Sequence, residues 1–249
     1  MKSKLVILML ALLCVACTEK SSKKSDSKGE KVCLEFWTTY SAPEYSDDPN
    51  KTSVIVEKLR GANAAIQNYL NANPDVKNNG ELQDILEICD LGHGIVGTVK
   101  TAEERQIVSD YLALPGVREA AGIPEEAIFM WSRKPDKHYD NKYLLYAIYD
   151  EHADGKAPLD GSVIDYARAN YSQYGGGAEI SIRMNGEGSR KWEDLTQANI
   201  GMNIAIVVDG YVYSAPVVNQ KIESGLSTIS GDFTIEEAEE LAKSIISHK

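Results

Sequence analysis

The chain has 249 residues, 37 acidic and 26 basic, for a formal charge of −11. A surface of that sign repels phosphate backbones and anionic headgroups, which excludes nucleic acid as a partner. After the first few residues no run approaches the ~18 consecutive apolar residues of a spanning helix, so the sequence predicts membrane contact only at its N-terminal end.

Lys2 and Lys4, an apolar run from Leu5 to Val15 and the small Ala16 make a signal peptide over 1–16. Ala16 followed by Cys17 resembles the lipobox of bacterial lipoproteins, where the cysteine becomes the first mature residue and carries acyl chains such as palmitate. Cys14 in place of the usual leucine is the departure. The resemblance implies lipid attachment at Cys17 and a lipid-anchored place in the cell envelope. Thr18 and Glu19 lack the inner-membrane retention aspartate, which leans towards the periplasm-facing outer membrane. Residues 17–30, rich in Ser, Lys, Asp and Gly, read as a flexible tether. Cutting before Cys17 also removes two lysines, leaving 24 basic against 37 acidic residues, or −13.

Next, 31–37 is rich in β-forming residues and 41–50 reads as loop. Ile55, Leu59, Ala62, Ile66 and Leu70 recur at helical steps, with Ser53 or Thr52 placed to cap the start and Pro74 to close the end. A shorter helix is predicted over 81–91, with Leu82, Ile85, Leu86 and Cys89 on one side, then a strand over 95–99. Thr101 and Glu104 have the capping-box spacing at the head of a helix reaching about Leu114. Strands over 127–131 and 143–149 flank a charged loop containing Pro135. Cys33 and Cys89 either form a disulfide, as an oxidising envelope allows, or stay as two buried thiols; spacing does not decide between them.

The Gly- and Pro-containing stretch from His152 predicts a boundary between an N-terminal α+β part, 31–151, and a second part, 152–249. There, Val163 to Tyr171 reads as a helix stopped by Gly175 to Gly177. Ile180, Ile182 and Met184 alternate with Glu179, Ser181 and Arg183 as in a half-buried strand. A helix around Trp192 and Leu195 precedes two β-rich runs joined by Asp209 and Gly210, a two-residue hairpin signal because both accept positive φ. A strand over 227–233 leads to a second capping box, Thr234 with Glu237, and a helix with an apolar stripe from Ile235 to Ile245. The mixture predicts an α+β fold with open mixed or antiparallel sheets and helices on one face.

Several motifs invite chemistry and are better explained by structure. Gly92, Gly94 and Gly97 spell GxGxxG, but the predicted helix precedes them and the strand follows, the reverse of what a dinucleotide site needs. His93, His138, His152 and His248 are scattered without ligand spacing, so no metal or cofactor is expected. The glycines around Ser227 and Ser230 lack nucleophile-elbow spacing and read instead as a strand bent at Gly231. Glu236, Glu237, Glu239 and Glu240 suit the positive end of a helix dipole. Tyr211 and Tyr213, with Pro216 beyond, share one face of the hairpin by alternation; that face either packs under a helix or holds polypeptide.

The stretches 159–171, 178–218 and 222–242 resemble the large periplasmic domain, chiefly the head subdomain, of the SecD protein-export subunit. The cues are Leu195-Thr196, Asn199 with Gly201, Ala205 to Asp209, Ser214 to Pro216, Ile229 to Gly231 and Glu237-Ala238. Residues 34–40, 94–117 and 129–135 are similar to the Bacteroidetes form of that domain. The family's proton-conducting membrane helices are not among the 249 residues, nor is the part of the base that precedes Leu34. The resemblance therefore implies a noncatalytic lipoprotein that meets exported or unfolded polypeptide, or Sec translocon subunits, and cannot by itself drive their movement. The alternatives are a scaffold lipoprotein with an unrelated envelope partner and, last, a hydrolase.

Overall fold

The computed structural model describes residues 32–41, 51–172 and 177–246. The expected leader, Cys17 and tether, Gly175, Gly176 and His248 lie outside them. In chain order the elements are β1 (Leu34–Thr39), α1 (Thr52–Ala72), α2 (Leu82–Ile85), β2 (Glu87–Ile88), β3 (Ile95–Val99), α3 (Ala102–Leu112), α4 (Val117–Ala120), β4 (Ala127–Ser132), β5 (Tyr143–Tyr149) and β6 (Leu159–Asp160). Then follow β7 (Ile164–Tyr171), β8 (Ala178–Met184), α5 (Gly186–Ala198), β9 (Ile204–Val208), β10 (Tyr211–Ser214), β11 (Leu226–Phe233) and α6 (Ile235–Ile246). The fold is α+β.

Strand alternation sorts the core into three clusters. The larger sheet has the order β2-β3-β5-β4-β10-β9-β1-β6, and a further pairing of Thr38 and Thr39 with Tyr149 and Ile148 joins β1 to β5. That pairing curls β5, β4, β10, β9 and β1 into a ring. Its inside is lined by Trp37, Leu144, Tyr146, Ile148, Ala205, Val207 and Val212. The intervening residues point outwards. Leu145, Ala147, Ala127 and Trp131 pack against the buried stripe of α1, Ile55, Leu59, Ala62, Ile66 and Leu70, as its spacing predicts. Truncating the fully buried Leu59 to alanine would cost about 2–5 kcal/mol. Leu34, Phe36, Ile204, Ile206 and Val208 instead meet α5, α6 and the inner face of a second sheet, β11-β8-β7. β9 and β10 come from the later half of the chain, yet complete the sheet begun by β1, β3, β4 and β5.

Four local expectations need correction. The helix predicted over 81–91 ends at Ile85, because Leu86 turns to extended backbone and Glu87 pairs with Thr98. Residues 164–171 are a strand, paired along their length with β8. Its Ala and Arg content suits a helix, but Ala167 and Ala169 face the core while Tyr166 and Arg168 face out, and pairing overrides propensity. Thr52 does not cap α1; its hydroxyl donates to the Tyr40 carbonyl and ties the helix to the end of β1. Among the described residues no disulfide joins Cys33 and Cys89. Cys33 is held beside the β9-β10 turn, where its amide donates to Asp209, whereas the Cys89 amide donates to Val96 on β3. Burial pushes the Cys89 thiol up, which keeps it protonated.

Both capping boxes form, with Thr101 and Glu104 at α3 and Thr234 and Glu237 at α6. The hairpin forms as well: Asp209 and Gly210 take φ of 51° and 77°, and Tyr211 pairs with Val208.

Candidate functional site

β10 is short and irregular, and that irregularity shapes the site. Val212 pairs with Val207 but Ser214 pairs with Ile206, so the chain bulges at Tyr213 and re-aims its side chain. Tyr211 and Tyr213 both leave the outer face of the ring, as alternation predicts, yet diverge. Tyr211 borders the α1 core under Arg105, whose guanidinium carbon is 5.0 Å from the ring centroid, with Arg133 at 5.7 Å. Tyr213 stacks on Phe233 of β11, centroids 5.3 Å apart and planes 19° off parallel. Pro216 is exposed beyond the end of β10, where its carbonyl accepts from the Ile204 amide, and does not join them.

Tyr213 and Phe233 border a cleft of about 340 Å³ between the two sheets, with Val212 and Tyr146 also lining it. Its rim is the β4-β5 loop, residues 133–138. Burial pushes the Tyr146 phenol up, so it stays neutral. Gly231 allows the aromatic floor: a Cβ there would lie 2.9 Å from the Phe233 ring. The bend expected at Gly231 is a register shift between Ile229 and Phe233.

Ion pairs close the rim onto the second sheet. Lys134 Nζ is 2.8 Å from Glu237, and Lys137 Nζ is 2.8 Å from Asp232. Each lysine holds its partner's carboxyl below the ordinary range. These side chains, with Phe233, were not foreseen as site residues. Their partners lie tens of residues away in sequence, and a hairpin pattern carries no information about such pairings.

The other motifs have local jobs. Gly92 and Gly94 take positive φ in the turn before β3, and a Cβ on Gly94 would lie 2.7 Å from Thr39 Cβ. A Cβ on Gly97 would lie 2.8 Å from Leu86, so this glycine lets β2 and β3 approach. His93 Nδ1 is 3.0 Å from Asn203 Nδ2; the His138 and His152 amides donate to Asp136 and Asp150. Ser227 lies within β11. Among the described residues no three His, Cys, Asp or Glu side chains converge as metal ligands would.

Residues 145–247 match the family of the SecDF P1 head subdomain, which spans β5 to α6 and so includes both aromatic rings of the cleft. The protein translocase subunit SecD of Desulfurispirillum indicum is 30% identical over 219 residues, covering 83% of this chain and 39% of that protein. The chain is a SecD periplasmic head-like protein.

Other SecD-type sequences agree with this. SecD of Rhodothermus marinus is 34% identical over 154 residues, or 61% of this chain and 24% of that one. SecDF of Thermus thermophilus is 42% identical over 88 residues, 35% of this chain and 12% of that one. A solved structure of SecDF, described as a membrane component that enhances protein export, aligns with a TM-score of 0.36 at 20% identity, over 86% of this chain and 91% of that one. The SecD-like chain spans well under half the length of these curated relatives. Among its described residues no helix is long and apolar enough to cross a membrane.

Proposed function

We propose that the protein is a noncatalytic, lipid-anchored envelope protein that binds exported or unfolded polypeptide, or Sec translocon components, through the cleft at Tyr213 and Phe233. The observation that carries this reading is the aromatic stack of Tyr213 on Phe233, both within the stretch that matches the P1 head subdomain, at the mouth of a cleft. A half-buried tyrosine beside a buried ring offers apolar contact at small entropic cost, and on the rim the lysines can donate and the aspartates accept main-chain and side-chain hydrogen bonds. Such a surface suits an extended chain of varied sequence.

The anchor is Cys17, with 17–30 as tether, and the polypeptide is met on the periplasmic side. The test is a binding titration of a reduced, unfolded envelope protein against the full chain and its Tyr213→Ala variant, with site-specific crosslinking from position 213 in cells. Binding that depends on Tyr213, and crosslinks to exported chains or export subunits, are the expected results. Absence of both overturns the reading. Labelling with a palmitate analogue, lost in Cys17→Ser, tests the anchor separately.

A further inference from the structure

The second sheet, β11-β8-β7, has two unlike faces. One packs Ala167, Ile180, Ile182 and Ile229 against α6 and the larger sheet. On the other, the register places Tyr166, Arg183 and Leu226 in one row and Arg168, Ser181 and Thr228 in the next. This second face is open: Tyr166 is 41% and Leu226 54% exposed, and both arginines are exposed. The side chains on it touch one another, since the Arg183 guanidinium carbon lies 5.6 Å from the Tyr166 centroid and Asn170 Nδ2 donates to Ser181 Oγ.

The charge here runs against the rest of the molecule. The chain carries −11, yet this face presents two guanidinium groups, neither in an ion pair among the described residues. β7 and β8 also carry two carboxylates, Glu179 opposite Asn170 and the exposed Asp165 at the register shift before Tyr166. Guanidinium groups read carboxylates through paired N–H donors, and one stacked on tyrosine is already oriented. Tyrosine and arginine are among the side chains enriched at interface hot spots, and the exposed Leu226 adds apolar area beside them.

We propose that this sheet face is a second docking surface, for a protein partner that presents carboxylates next to an apolar or aromatic side chain. It is separate from the Tyr213 cleft and does not rest on it. A polyanion such as a nucleic acid or an anionic bilayer would meet the repulsive field of the whole acidic molecule, whereas a local pair of carboxylates meets two arginines at close range.

The experiment selects a random dodecapeptide library on the full chain and compares binders against an Arg168→Gln, Arg183→Gln double variant and a Leu226→Ser variant. All three substitutions are at exposed positions, and circular dichroism checks that they fold. Enriched peptides should carry two carboxylates flanking an apolar residue, and should bind the double variant at least roughly tenfold more weakly. Lys137→Ala, which alters a wall of the Tyr213 cleft from an exposed position, should leave their affinity unchanged. Enrichment of uncharged or basic peptides, or affinity indifferent to the two arginines, overturns the proposal. So does arginine-dependent binding to phosphatidylglycerol-rich vesicles, or arginine-dependent self-association in sedimentation, with no acidic peptide selected; these would assign the face to a membrane or to a second copy of the chain.

Discussion

Lys134 Nζ lies 2.8 Å from both carboxylate oxygens of Glu237, joining the β4-β5 loop of the larger sheet to the cap of α6 across 103 residues of sequence. The same carboxylate accepts from the Thr234 amide, so one side chain both starts the last helix and holds the rim of the cleft.

Glu237→Gln separates these roles, because glutamine can complete a capping box but cannot pair with lysine. The Lys134 side chain is 42% and that of Glu237 45% exposed, so solvent screens the pair and its loss should cost only about 0.2–1 kcal/mol. Lys134 lowers the Glu237 pKa. A carboxyl depressed in the folded state contributes stability above its unfolded value, about 4.3, and loses it as pH falls through the folded one. Urea unfolding should therefore distinguish wild type from Glu237→Gln at pH 7, by a margin that shrinks as the pH is lowered below the ordinary carboxylate range. A margin that stays constant throughout an acid titration would show that the ion pair contributes nothing.

Gly188→Ala tests how closely α5 lies on its sheet. A Cβ there would come 2.6 Å from Val163 Cβ and 3.0 Å from Met184 Cβ, both near the backbone and neither able to swing away. Overpacking of that kind costs about 1–3 kcal/mol, against the small gain alanine brings to a helix. A melting temperature equal to or above wild type would contradict the close approach.

At the hairpin, Asp209 holds φ of 51° and its carboxylate accepts from the Cys33 amide at 2.9 Å. Asp209→Gly keeps the turn and loses only that exposed bond, at about 0.5–1.5 kcal/mol. Asp209→Val should lose more, since a β-branched residue is strained at positive φ by about 1–2 kcal/mol in addition. Urea midpoints in the order wild type, glycine, valine are expected; equal midpoints for glycine and valine would mean the turn has relaxed into another form.

That hairpin was legible in the sequence because two adjacent residues fix it, and the capping boxes and the α1 stripe were legible for the same reason: their partners lie within one or two helical turns. The ring was not. Its closing pair, Thr38 with Tyr149, spans 111 residues, and nothing in either segment names the other. Val163 to Tyr171 shows the converse failure, a segment whose local composition suggested a helix until β8 supplied a hydrogen-bonding edge. The site inherited this limit. Tyr213 was visible as an aromatic on one face of the hairpin, packed or open, while Phe233, Lys134 and the bulge that aims the ring depend on tertiary pairing.

Tyr213 is half-buried and stacked, so truncating it removes packing as well as any binding surface. Tyr213→Ala should lower stability by about 1–2 kcal/mol, from the lost ring pair and its buried area, and that alone could weaken binding by loosening β11. Tyr213→Phe keeps the ring and its stack and should match wild type in both stability and polypeptide binding. Lys137→Ala supplies the second axis: the Lys137 side chain is 71% exposed and pairs only with Asp232 among the described residues, so its removal should leave the melting temperature nearly unchanged while altering one wall of the cleft. If polypeptide lies in the cleft, binding measured well below every variant's melting temperature falls for Tyr213→Ala and Lys137→Ala and holds for Tyr213→Phe. If only the destabilised alanine variant at 213 binds poorly, and Lys137→Ala binds as wild type, the stack is a packing contact between the two sheets and the polypeptide sits elsewhere.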